Sequence, residues 1–294
     1  MMYSDDTIAA LSTPPGESGV AVIRVSGSEA RPILSSVFSN GGRARAANEF
    51  EHRRIYHGDL LESGGERIDE VMCAVMRAPE SYTGEDTVEV TCHGNTVVVD
   101  RVLRRLFECG ARAAEPGEFT KRAFLNGKLD LIQAEAVSDL IHSKSDLQRR
   151  VAQEQMAGGL STRINTLADE LMELLGVIEA NIDFIEDGID ILDVETSLST
   201  LSRHRKELDT LLESAAFARP FREGFRVTIA GPVNAGKSSL FNRLLGERRA
   251  IVTDVPGTTR DLIREPIVLE GLLFLLQDTA GLRDTNDRIE QMGV

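Results

Sequence analysis

The sequence predicts a multidomain chain in which an α+β domain, an all-α helical domain and the first half of an α/β domain follow one another. Three observations carry that reading. Up to about residue 118, short β-prone runs alternate with helical patterns and with turns rich in Gly, Pro and Ser. From about 129 to 218 the apolar spacing is purely helical. From Phe225 it becomes strand, loop, helix, loop, strand, strand. The boundaries that follow are 1–118, 119–222 and 223–294.

In the first domain the expected strands are Thr7 to Leu11, Val20 to Val25, Arg54 to Leu61, Glu70 to Met76 and Thr87 to Cys92. The expected helices are Ser28 to Phe38 and Asn95 to Cys109, the second with Val98, Val102, Leu103 and Leu106 at helical spacing, and Gly41 to Asn48 reads as a polar loop. Two charges stand out. Arg24 lies inside VAVIRVSG, and Glu89 alternates with Val88 and Val90 in a half-buried strand. A charge in such a run calls for a partner or a ligand, and composition alone favours an edge position or an internal ion pair. His93 beside Gly94 reads as a satisfied turn histidine, because no second metal ligand lies at usable spacing.

In the second domain Ile132, Ala136, Leu140 and Ile141 open a first helix, and Gly158 with Gly159 close a second segment. Ile164, Leu167, Leu171, Leu174, Ile178, Ile182 and Ile185 then build one apolar stripe. Another helix carries Leu198, Leu201, Leu208, Leu211 and Leu212. Helices of this kind bury their stripes against each other, which predicts a mostly structural bundle.

The third domain opens on GPVNAGKS, Gly231 to Ser238, after the β-prone run Phe225 to Ala230 and before a helical pattern with Leu240, Leu244 and Leu245. That context gives the G-x-x-x-x-G-K-[S/T] pattern its meaning. Gly231 and Gly236 allow a tight turn whose N–H groups point at a phosphate, together with a helix N-terminus. Lys237 is placed to reach the β- and γ-phosphates and Ser238 to ligate magnesium. Further on, Thr259 in GTTR offers a hydroxyl to magnesium, and in DTAG, Asp278 to Gly281, Asp278 holds the metal through water while the Gly281 N–H senses the γ-phosphate. In this order the three elements point to GTP. The Asn-Lys-x-Asp run that reads guanine does not occur in the chain, so the choice of GTP over ATP rests on analogy.

Two positions depart from the Ras-like pattern. Leu282 follows Gly281 where a glutamine would orient the attacking water. Asp284, Asp287 and Glu290, with Arg260, Arg283 or a bound cation, are the candidates for positioning water and neutralising charge. Glu290 has the reach, although spacing alone favours a solvent-facing helix residue. Asn234 inside the loop either ligates a monovalent cation beside the phosphates or simply tolerates a left-handed turn.

Forty-seven acidic against thirty-three basic side chains leave a net charge of −14, which disfavours nonspecific nucleic-acid binding. Cys73, Cys92 and Cys109 form no C-x-x-C pair and no zinc spacing, and read as buried small hydrophobes. With no signal peptide and no long apolar span, the expectation is a reduced cytoplasm and no membrane.

In chain order, DTIAALSTPPG, GVAVIRVSG, SYTGEDTVEV, HGN, PGEFTKRAFLNGKLDLIQAEAVSDLI, GPVNAGKSS, TDVPGTTRD and DTAGLRD resemble the MnmE (TrmE) family of tRNA-modification GTPases. The match runs over essentially all 294 residues, and the stretch from Pro116 to Ile141 is far more specific than a phosphate loop. The resemblance implies a homodimer whose N-terminal domains bind a one-carbon donor, 5-formyl- or 5,10-methylene-tetrahydrofolate. It also implies a flavoprotein partner of the MnmG type and an aminomethyl-type group built on the wobble uridine of certain tRNAs. By motif, folate contacts fall on Arg24, Glu89 and Lys128, with Arg24 suited to the ligand's glutamate carboxylates and Glu89 to donors on the pterin ring. Potassium (K+) ligands fall on Asn234, Thr253, Val255 and Thr258, magnesium (Mg2+) on Ser238 and Thr259, and the water-positioning carboxylate on Glu290. Nucleotide contacts fall on Asn234, Ala235, Gly236, Lys237, Ser238 and Ser239, on Thr253, Asp254, Val255, Pro256, Gly257, Thr258 and Thr259, and on Asp278, Thr279, Ala280 and Gly281.

The sequence departs from the family at PGESG, where an arginine with more glycine is usual, and at Pro256, where a small residue is usual. It also stops at Val294, before the rest of the GTPase domain, the return to the helical bundle and a short cysteine-containing motif. From this follows the expectation of a poor GTPase that is loosely ordered or rearranged from about 225 onward, with Leu272 to Leu276 giving up burial worth up to about 1.5 to 3 kcal/mol each. The alternative function is a folate-binding dimerisation module whose GTPase half does no catalysis. An Era-like ribosome-assembly GTPase is a further one, against which the Pro116 to Ile141 stretch argues.

Overall fold

The computed structural model describes residues 6–183, 193–231, 235–248 and 264–278. The chain divides into two compact units, Met1–Ala134 and Glu135–Val294.

The first unit is built on one sheet. Its strands are β1 (Ile8–Leu11), β2 (Ser18–Ser26), β3 (Phe38–Asn40), β4 (Arg43–Ala44), β5 (Ile55–Leu61), β6 (Arg67–Met76), β7 (Thr87–Gly94) and β8 (Arg112–Ala113), in the order β4-β3-β5-β6-β7-β2-β1-β8. All neighbours are antiparallel except β1 and β8. Period-two alternation sends Ile23, Val25, Cys73, Val75, Val88 and Val90 into the core, where α1 (Ala30–Val37) and α2 (Thr96–Glu108) add Leu34, Val37, Val102 and Leu106. Asn95 starts α2 by accepting the N–H groups of Val97 and Val98 at 2.9 and 3.4 Å, a side-chain cap for donors with no helical partner. On the opposite face of the sheet Val20, Ile55 and Met72 are 56%, 67% and 48% exposed.

The expected strands and helices of this unit are all present. The polar loop is not wholly a loop: Phe38–Asn40 and Arg43–Ala44 extend the sheet edge, and Ala47–Glu49 forms a 3-10 turn. A further short helix, α3 (Glu118–Leu125), lies past the boundary at 118, yet belongs to the first unit because Arg112 and Arg122 clamp Glu118.

Four further helices are α4 (Leu131–His142), α5 (Asp146–Met156), α6 (Gly159–Asp183) and α7 (Val194–Glu223). Within the second unit, a capping box between Ser145 and Gln148 starts α5. Ion pairs join α6 to α7, Arg163 to Glu207 at 2.7 Å and Glu170 to His204 at 2.7 Å and to Arg203. The expected burial of the apolar stripes is only partly realised. Of the stripe residues Leu167 is buried and Ile164, Leu174, Ile178 and Leu211 are half-buried, whereas Leu171, Ile182, Leu198, Leu201, Leu208 and Leu212 are exposed. Ile185 lies outside the described residues.

From α7 the chain passes through Gly224 (φ 92°), where a side chain would press on Leu273 at 3.1 Å, into β9 (Phe225–Ile229). Then come α8 (Lys237–Arg248), β10 (Arg264–Leu269) and β11 (Leu272–Asp278). The sheet order is β10-β11-β9, with β9 parallel to β11 and β10 antiparallel to it. Glu270 and Gly271, both at positive φ, make the tight turn between β10 and β11. Phe221, Phe225 and Phe274 stack in series, with ring centroids 5.1 and 5.4 Å apart. The described strands keep a regular register, so of the two expected outcomes, loose order and rearrangement, rearrangement does not hold for them. Nor does LLFLL lie bare: Leu273 and Leu276 are buried and its other residues are half-buried.

Candidate functional site

The open sheet face of the first unit carries both charges that stood out in the sequence. Arg24 and Glu89 are directly opposite each other across β2 and β7. The Arg24 Nε and Nη2 atoms both donate to Glu89 Oε1, at 3.0 and 2.7 Å, leaving Oε2 without a protein partner among the described residues. The two side chains keep 23% and 30% of their surface exposed. Two aromatic rings flank the guanidinium, Tyr82 at 5.0 Å and Phe119 at 5.5 Å from ring centroid to Cζ.

Arg24 and Glu89 therefore stand at one point of the open face, paired with each other. Arg24 orients the carboxylate, and Glu89 keeps an acceptor oxygen toward solvent.

Lys128 is held elsewhere on the same assembly. Its Nζ donates to the Pro79 carbonyl at 3.1 Å, and its stem runs beside Gly84, where an added Cβ would come within 2.9 Å of Asn126 and 3.3 Å of Lys128. Gly84 has φ 81°, so both conformation and space call for glycine there. Tyr82 and Thr120 share a hydroxyl hydrogen bond at 2.9 Å, and the Asn126 amide donates to the Thr83 carbonyl at 2.7 Å. The segment 79–85 and helix α3 are thereby tied together.

Next to the segments that flank the pair lies an ionic cluster, centred on the buried Arg122 and Glu118, that the sequence did not disclose. Arg122, 8% exposed, donates to the Asp6 carboxylate at 2.7 Å, to both Glu85 oxygens at 3.2 Å and to Glu118 at 3.3 Å. Arg112 grips Glu118 bidentately at 2.9 and 2.6 Å. The available signal was the i, i+4 spacing of Glu118 and Arg122 in a short helix whose Ala123 is buried. The Arg112 hydrogen bonds hold the Glu118 carboxyl at about 2, against an ordinary 4.5, despite its burial. A depressed carboxyl pKa stabilises the fold above its unfolded value, and that stability is lost as pH falls from about 4.5 toward about 2. Urea unfolding followed from neutral pH to about pH 3 is expected to show this loss, and Glu118→Gln to flatten it.

His93 is satisfied as expected, though near the end of β7 and not in a turn: its Nδ1 and its backbone N–H both hydrogen-bond with Asp69, at 2.8 Å each. Burial raises the Asp69 pKa, and these hydrogen bonds outweigh it, so the group stays below the ordinary carboxylate range. Cys73 and Cys92 are buried as expected, their thiols pushed up by burial, Cys92 to about 11. Cys109 is only half-buried. No cluster of three or more His, Cys, Asp or Glu fit to hold a metal occurs among the described residues. None of the described helices is long and apolar enough to cross a membrane.

In the second unit the parallel pairing sets Ile229 of β9 level with Asp278 of β11, so both strands end at one edge of the sheet. Gly236 (φ 80°) leads into α8, whose first residue is Lys237. The Lys237 Nζ folds back to the Gly231 carbonyl at 2.9 Å, spanning the loop. Ser238 stands in the first turn of α8, Ala235 lies just before the helix, and Ser239 is exposed. Asn234, Thr253, Asp254, Val255, Pro256, Gly257, Thr258, Thr259, Thr279, Ala280, Gly281 and Glu290 lie outside the described residues.

An α+β domain with a bracketed charge pair on its open face, then helices, then a strand-loop-helix phosphate loop beside a parallel strand, define a multidomain phosphate-loop protein. The family model described as GTP-binding protein TrmE N-terminus matches residues 7–128, and the model described as MnmE helical domain matches residues 131–292. The chain belongs to the MnmE family. A protein of Natranaerobius thermophilus called tRNA modification GTPase MnmE is 46% identical over 292 residues, 99% of this chain and 63% of its own length. Proteins of the same name from Geobacter sulfurreducens and Clostridioides difficile are 48% and 43% identical, over 100% of this chain and 64% and 63% of their own lengths. The chain therefore spans a little under two thirds of the relatives it matches.

Proposed function

We propose that the chain serves the activity for which its relatives are named, GTP hydrolysis in the service of tRNA modification. In this reading a homodimer, working with a flavoprotein of the MnmG type, uses a tetrahydrofolate one-carbon unit to build an aminomethyl-type group on the wobble uridine of certain tRNAs. The observation that carries the nucleotide half is the parallel β9–β11 pair, with Lys237 at the start of α8 reaching across the loop to Gly231. Phosphate oxygens would replace that carbonyl as the partner of the ammonium, at a helix N-terminus already suited to negative charge. Ser238 and Thr259 would hold magnesium, and Asn234, Thr253, Val255 and Thr258 potassium. Bound there, the two cations neutralise charge on the phosphates.

The folate half rests on the Arg24–Glu89 pair. A reduced pterin presents adjacent N–H donors on a flat ring, and the pair presents a partly solvated carboxylate with an unused oxygen beside Tyr82 and Phe119. The residues present fit such a group. Exposed Val20, Ile55 and Met72 on the same sheet face supply apolar surface suited to a second copy of the domain. A soluble, reducing compartment such as the cytoplasm accords with the three free cysteines.

The test is nucleotide binding by the whole chain. Titration with a fluorescent GTP analogue is expected to saturate and to compete with GTP in preference to ATP. Lys237→Ala is expected to weaken it at least about tenfold, through loss of a charge-assisted contact. Equal competition by ATP, or an unaffected Lys237→Ala variant, would count against the reading.

A further inference from the structure

The ionic cluster around Arg122 has more partners than holding one short helix requires, and they link α3, the segment 79–85 and β2, which carry the groups around Arg24. Arg122, on α3, binds the carbonyl and carboxylate of Asp6 just before β1, and Glu85 at the end of the segment 79–85. Glu85 in turn accepts from the Ser26 hydroxyl at 2.8 Å, two residues along β2 from Arg24. Ser26 also meets Thr83 at 2.6 Å, one residue from Tyr82. On α3 itself, Glu118 and Arg122 face the cluster while their neighbours Phe119 and Thr120 face the pair, Phe119 through its ring and Thr120 through the Tyr82 hydroxyl.

We propose that Arg122 is a positioning residue for the ligand site: through Glu85 and Glu118 it fixes the segment 79–85 and helix α3 so that Tyr82 and Phe119 flank the Arg24 guanidinium and aim Glu89 outward. The proposal rests on the folate reading above and adds to it the group that shapes the pocket. The planar guanidinium suits this task because one fork must satisfy three chain segments at fixed angles. A lysine, a single point charge, keeps the buried charge but not the angles. Asp6, Glu85 and Glu118 surround Arg122 with more negative charge than one cation balances, and Arg112 supplies the second cation through Glu118 and Asp6. The cluster lines a cavity of its own, of about 210 Å³, together with Lys121 and Asn126. Its effect on a ligand runs through the aromatic brackets and not through direct contact.

The experiment titrates 5-formyltetrahydrofolate into the full chain, comparing the parent with Arg122→Lys, Arg122→Gln, Tyr82→Ala and the Arg122→Lys, Tyr82→Ala double variant. Circular dichroism and melting curves check the fold, and NMR of ring-labelled tyrosine follows Tyr82 and, as an internal control, Tyr56. Arg122→Lys is expected to weaken binding about tenfold, the scale of losing a cation–π bracket, while the fold persists. In the Tyr82→Ala background it is expected to add nothing further, because the bracket it sets is already gone. The Tyr82 ring resonances are expected to shift while those of Tyr56 stay. Additive losses, or an unmoved Tyr82, would overturn the proposal. If Arg122→Gln does not fold, Arg122→Lys carries the comparison. If the parent itself fails to bind, the folate reading falls, and the positioning of Tyr82 is still decided by its resonances.

Discussion

Replacing potassium by sodium is expected to slow GTP hydrolysis by the full-length protein about a hundred- to a thousandfold, and Glu290→Ala to slow it on the same scale. The reason lies in two residues of the sequence. Leu282 occupies the place from which a glutamine would orient the attacking water, and leucine offers neither donor nor acceptor. In the proposed mechanism the water would instead be held by a carboxylate from the following segment, for which Glu290 has the reach. Asn234 belongs to the phosphate-loop motif, and in the proposed mechanism its amide oxygen would ligate a monovalent cation beside the γ-phosphate. Steady-state turnover in matched potassium and sodium buffers checks the first half, and single-turnover rates of Glu290→Ala the second. Equal rates in the two salts, or an unimpaired variant, would reject the mechanism.

The second large effect is expected at the other end of the chain. Glu89→Ala should weaken binding of 5-formyltetrahydrofolate about a hundredfold, the sum of one or two charge-assisted hydrogen bonds at about 1.5 to 3 kcal/mol each. The variant should keep its fold, because Arg24 retains partial exposure and its aromatic neighbours. Arg24→Ala should weaken binding less, since Glu89 keeps its oxygens and loses only the group that orients them. Calorimetric titration of both variants checks the order. An Arg24→Ala loss clearly exceeding that of Glu89→Ala would return Arg24 to direct contact with a ligand carboxylate.

How far the sequence disclosed this arrangement depended on length and on register. The five longer strands and two longer helices of the first unit were legible because runs of four or more residues show a period, whereas β3, β4 and β8, of two or three residues, show none. Arg24 and Glu89 were legible as misplaced charges. That they face each other depends on the pairing of β2 with β7, whose shift between Ser18 and Ala21 no local pattern reveals. Tyr82, Glu85 and Arg122 were not legible as site residues, because each acts through segments distant in sequence. Arg122 reaches Asp6, more than a hundred positions away. In α6 and α7 periodicity named residues that share a face and not what covers them, and most of those leucines and isoleucines are exposed or half-buried. In the phosphate-loop unit the order of elements was legible from a motif with its flanks, and the parallel pairing of β9 with β11 follows it.

The central claim is that the open sheet face around Arg24 and Glu89 is where a reduced folate binds, pterin end first. Intermolecular NOEs between bound 5-formyltetrahydrofolate and a chain labelled on valine methyls and tyrosine rings test it most directly. The account predicts contacts from the pterin protons to the Tyr82 ring and to the methyls of Val22, which shares the open face with Arg24. Saturable binding with NOEs confined to residues away from β2 and β7, or with the glutamate tail in place of the pterin beside Tyr82, would contradict it.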